Sequence, residues 1–171
     1  MNREDNERHL ERVLFREAFE RRDAGAGVAS AAREAAARAA RKRAALKAWL
    51  KVRDKLPPLL EDLNRKLVAI GAELRVSEVG AHDYSHRGFP SIGRGRLDLF
   101  VDGRKTTRSL EADLAETGTV HLYMYLPKET RRLDIDVAEA DADRIAEVLI
   151  DFVDLATQDD FPPGSLTGRS P

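Results

Sequence analysis

Apolar positions recur with two different periods along this chain, and the change falls at Gly71. Before Gly71 they step by threes and fours. Leu10, Leu14 and Ala18, widened by Val13, Phe15 and Phe19, predict a helix over residues 5–22. The stretch "DAGAG" at 23–27 interrupts it. Each glycine disfavours helix by about 1 kcal/mol relative to alanine, so a hinge or helix–helix turn is expected there. Residues 28–56 carry the strongest helical signal, being dominated by alanine, arginine and lysine. Val28, Ala32, Ala35, Ala39, Lys42, Leu46, Trp49 and Arg53 form a seam there, small at its start and larger at its end. Pro57 and Pro58 are expected to break or kink that helix, since proline lacks the amide donor and disfavours helical geometry in the residue before it. A second helix is predicted over 58–70, with Leu59, Leu60, Leu63, Leu67 and Ile70 on one stripe. Gly71 is placed to close it in a left-handed cap.

After Gly71 the period becomes two. Strands are predicted at 72–79, 96–102, 108–116, 119–126 and 131–137. The connections "GRKTT", "TGT" and "PKET" are short, and short connections demand antiparallel neighbours. One sheet face collects Leu97, Leu99, Val101, Leu110, Ala112, Leu114, Val120, Leu122, Met124, Leu126, Leu133, Ile135 and Val137, and it must be covered. A last helix over 141–157, capped by Asp141, offers Ile145, Val148, Leu149, Phe152, Val153 and Ala156 for that purpose. The expected fold is α+β: a long N-terminal helical arm, then a mainly antiparallel five-stranded meander sheet covered on one face by two helices. The arm is assigned to 1–56, the α+β domain to 57–160 and a disordered tail to 161–171. The alternation does not fix where strand 72–79 joins the sheet.

Composition adds exclusions. The chain has 171 residues, of which 35% are charged, against roughly 25% in an average domain. An excess of both signs fits long exposed helices. With no cysteine, disulfides, thiolate nucleophiles and cysteine-based zinc sites are excluded. No apolar run approaches the roughly 20 residues that span a bilayer, and the N-terminus lacks the apolar core of a secretory signal. A cytoplasmic protein from a GC-rich bacterial genome is expected, with no cofactor and no metal.

The formal net charge of −1 hides an asymmetry. Residues 33–55 hold nine bases and two acids, whereas residues 133–160 hold ten acids and a single base, Arg144. Such blocks speak of contacts, not of fold. The basic helix has three uses. Arg38, Arg41, Lys42, Arg43 and Lys47 could neutralise phosphates of a nucleic acid, although the charges surround the helix instead of forming one stripe. The alanine-rich seam could pair as a coiled coil with a second copy, giving a homodimer. Or the bases could lie against acidic surface, within a subunit or between subunits.

Two further places carry candidate chemistry. The sheet face opposite the leucines bears Phe100, Glu111, Asp113, His121, Tyr123 and Tyr125, aromatics beside carboxylates, which is the make-up of a protein-docking face. The segment 81–96, "AHDYSHRGFPSIGRGR", reads as a glycine-rich loop. His82, Tyr84 and His86 would make it the site of a small enzyme, with Arg94 and Arg96 as anion contacts. The segment lacks the Lys-Ser/Thr of a phosphate-binding loop and leads into a strand, and no third metal ligand stands at a diagnostic interval from the histidines. These readings converge on a non-enzymatic protein-binding or assembly module. A nucleic-acid binder using 33–55 and a small enzyme using 81–96 are the alternatives.

Overall fold

The computed structural model describes residues 3–86 and 89–158; within them, the side chains of 3–15, 17–26, 82–86 and 89 lie outside the description. The segment 161–171 also lies outside it.

Alanine, arginine, glutamate and leucine dominate the first third of the chain, and all are strong helix formers. One helix, α1, accordingly spans Arg3–Leu67. It runs through 23–27, where a hinge was expected. The two glycines together cost about 2 kcal/mol, which the high propensity of the flanking turns offsets. It also runs through Pro57 and Pro58, which were expected to break it. Each proline removes one amide donor, but Val52, before them, and Leu60 and Leu67, after them, are buried in one core cluster. Burial on both sides holds the intervening turn helical. A single 3-10 turn, Val68–Ile70, follows, and Gly71 closes it in the left-handed region at φ +69°.

The contacts divide the chain into two units, Met1–Ala40 and Arg41–Pro171. Within the first, every described side chain from Gly27 to Ala40 is exposed. The second holds the core, and it begins inside the segment assigned to the arm: Ala45, Trp49 and Val52 are buried.

Five strands follow α1: β1 Ala72–His86, β2 Phe89–Val101, β3 Arg104–Ala115, β4 Thr119–Tyr125 and β5 Thr130–Asp136. They form one antiparallel meander in chain order, so β1 occupies an edge. The segment 81–96 is therefore not a loop. Its described residues lie on the paired antiparallel strands β1 and β2, with Tyr84 opposite Ser91 and His86 opposite Phe89. Between β2 and β3 the turn is shorter than the five residues expected. Asp102 (φ +48°) and Gly103 (φ +73°) alone make it, the two-residue Asp-Gly hairpin whose twist suits antiparallel strands.

A final helix, α2, covers Ala142–Thr157, and the Asp141 carboxylate caps it by accepting the Arg144 N–H at 2.8 Å. Residues 41–67 of α1 and the buried side of α2 share one hydrophobic cluster with the leucine face of the sheet. Leu99, Leu114 and Phe152 at its centre are fully inaccessible. Asn64 ties α1 to the sheet edge. Its amide donates to the Leu74 carbonyl at 2.9 Å and accepts from the Leu74 N–H at 2.8 Å, as a neighbouring strand would.

Candidate functional site

Because one face of the sheet is filled by leucines and helices, the alternate residues of each strand form the other. The register brings the predicted residues together there. Glu111 lies opposite Tyr123, Asp113 opposite His121, and Ser109 opposite Tyr125. On the other side of β3, Arg96 lies opposite Glu111 and Arg94 opposite Asp113. Phe100 shares this face nearer the β1 edge, opposite Glu73, and the Arg75 guanidinium stacks on its ring at 4.2 Å.

An ion-pair lattice organises the surface. The Arg96 Nη1 donates to Glu111 at 2.7 Å, and its Nε donates to Asp98 at 3.0 Å. Lys105 Nζ reaches the second oxygen of Asp98 at 2.6 Å. Arg94 lies between Glu78 and Glu111, at 3.5 and 3.7 Å. Asp98, Glu111 and Asp113 are buried despite facing away from the core, with Asp113 wholly inaccessible. Burial pushes the Asp98 carboxyl up, but hydrogen bonds from Lys105, Arg96 and Ser77 outweigh it and hold the group below its ordinary range. Buried carboxylates of this kind persist only when paired.

A second cluster lies at the β4–β5 edge. Arg132 donates twice to Asp134, at 2.9 and 2.8 Å, and stands over the Tyr123 ring at 5.8 Å. His121 Nδ1 lies 2.8 Å from Asp134 and 2.9 Å from the Arg132 Nη2. Those two contacts make opposite demands: Asp134 needs a proton on Nδ1, and Arg132 needs its lone pair. Hydrogen bonds from Arg132 and then His121 lower the Asp134 carboxyl to about 2.

The remaining sequence candidates separate. Arg94 and Arg96, assigned to a loop, project from β2 and belong to this face. The backbones of His82, Tyr84 and His86 lie on β1, and their side chains fall outside the described residues. Arg38, Arg41, Arg43 and Lys47 are exposed on α1, whereas Lys42 is half-buried with its Nζ 3.8 Å from Glu116. Lys105 and Arg132, which complete the lattice, were not among the candidates. Their signal was present, since both sit at the alternation positions of Phe100 and Tyr123 on neighbouring strands. Three acids of 133–160 have local roles: Asp136 accepts from the Ala138 N–H, Asp141 caps α2, and Glu147 pairs with Arg144. Among the described residues no group of three or more His, Asp or Glu is arranged to hold a metal ion. No described helix is long and apolar enough to cross a membrane.

Comparison with protein-family models, with curated proteins and with solved structures gives no match.

Proposed function

We propose that the protein is a non-enzymatic assembly module that self-associates through its helical arm and presents the aromatic side chains of the sheet face, held among buried carboxylates, to a protein partner. The observation that carries this reading is the exposure of α1. Every described residue from Gly27 to Ala44 is exposed except the half-buried Lys42, and Val28 is 72% accessible. Isolated helices draw little stability from propensity alone. The seam of Val28, Ala32, Ala35 and Ala39 therefore gains most from a second helix, and its small side chains allow close approach. The sheet face supports the second half of the proposal. Tyr123, Tyr125 and Phe100 offer area at low entropic cost, and the lattice around Glu111 fixes their surroundings before any partner arrives.

Light scattering of the full chain at low and high salt tests the self-association. The expected result is a dimer that the paired substitutions Ala32→Glu and Ala35→Glu convert to a monomer while helix content by circular dichroism is kept. A wild-type monomer at every concentration and both salts would overturn it.

A second reading rests on Arg41, Arg43, Lys47 and Lys51, which are exposed on α1. In this reading the helix grips the phosphates of a nucleic acid. Binding would then weaken steeply with salt, and flat, negligible binding of duplex and single strands at low salt removes it.

A further inference from the structure

Ala112 sits on β3, the middle strand, on the face that both helices cover, yet it is only half-buried, while Gly95 and Leu122 opposite it are buried. A cavity of about 70 Å³ adjoins it. Trp49 and Val52 of α1 line one side, Val148 and Leu149 of α2 the other, and Ala112 and Leu122 the sheet between them. Val76 also lines it and is 42% accessible. Exposure of Val76 on the edge strand β1 opens the space toward solvent on that side, which distinguishes it from a sealed packing void.

We infer that this cavity is a binding site for a short alkyl group carrying no charge and no hydrogen-bonding atom at the buried end. The space is roomy enough for water, but water needs two or more polar partners and, apart from Glu78 and Arg96, the lining is almost wholly apolar. A polar ligand group would lose its hydration without replacement. An alkyl group instead restores the dispersion contacts that the facing side chains lack, in a site the fold has already shaped. The small side chain of Ala112 creates the room. A leucine there would fill it.

Trp49 is the single tryptophan of the chain, and it lines the cavity. Its fluorescence therefore reports occupancy directly. The probe is 1-bromobutane, whose bromine quenches indole on contact. With the full-length protein, quenching is expected to saturate with concentration, and the melting temperature to rise. The similarly sized but hydroxylated 3-bromo-1-propanol is expected to give only weak, linear quenching and no rise. Ala112→Leu is expected to keep the fold and to reduce 1-bromobutane quenching to the same linear behaviour. Ala140→Val, which narrows the cavity from the side of α2, carries the test if Ala112→Leu lowers the circular dichroism signal. Linear quenching of the wild type, or an unchanged saturating curve in a folded cavity-filling variant, would overturn the inference, as would equal responses to the two bromides.

Discussion

The indole of Trp49 packs closely against Gly93: a Cβ placed on that glycine would stand 2.8 Å from Nε1. The same Nε1 donates to the Gly80 carbonyl on β1 at 2.9 Å. The glycines of "GRGR" thus serve helix–sheet packing. Gly93→Ala must displace a buried indole, and a loss of about 1–3 kcal/mol is expected in urea unfolding. Gly95→Ala meets the ring at an ordinary 3.4 Å and is expected to cost less. Equal costs at the two positions would contradict this geometry.

Asn64 satisfies both backbone groups of Leu74, a residue that is 2% exposed. Asn64→Ala leaves a buried donor and acceptor without their partner, an expected loss of about 1–3 kcal/mol. Asn64→Asp keeps the acceptor but loses the donor, and brings a charge to the carbonyl. Hydrogen exchange at the Leu74 amide separates the two variants, since only Asn64→Ala is expected to speed it strongly.

Pro58 is exposed within α1 and removes the amide that would reach the Asp54 carbonyl. Pro58→Ala restores that bond and removes the ring's clash with the preceding turn. A gain of about 1–3 kcal/mol is expected, read as a higher midpoint at an unchanged denaturant slope. A loss would show that the proline shapes the turn usefully for the packing on either side.

The Asp134 carboxyl sits at about 2 in the folded chain, below its ordinary value near ~4 in the unfolded one. A depressed acid stabilises the fold above the unfolded value, and that contribution drains away as pH falls from about 4 through 2. Arg132→Leu removes the larger cause. The Asp134 midpoint, followed by carboxyl-carbon NMR, is expected to rise toward ~4, and less stability should be lost across that window. His121→Ala is expected to move the midpoint the same way by a smaller step. An unmoved midpoint in Arg132→Leu would mean that the 2.8 Å contact is not maintained in solution.

Much of the site was readable from alternation alone. Once Leu110, Ala112 and Leu114 face the core, Glu111 and Asp113 must face away, and the short turns place Tyr123 and His121 beside them. The extent of β2 was not readable. Gly93, Gly95 and Pro90 mark a loop by every local preference, yet those glycines are required where Trp49, 44 positions before Gly93 in the chain, presses on the strand. The Asp102–Gly103 pair is a two-residue hairpin signal, masked in the sequence by the polar residues after it, which look like more loop.

The order of apolar residues by itself determined the change from helix to sheet at Gly71, the antiparallel meander, the leucine face and the cap at Asp141. Each is a local matter of period, turn length and propensity. Tertiary structure alone decided that α1 continues through two prolines, that Arg94 and Arg96 join the carboxylates of β3, and that a gap remains above Ala112. Those outcomes depend on which distant surfaces meet. Burial and charge pairing summed over many residues outweigh local preferences of about 1–3 kcal/mol.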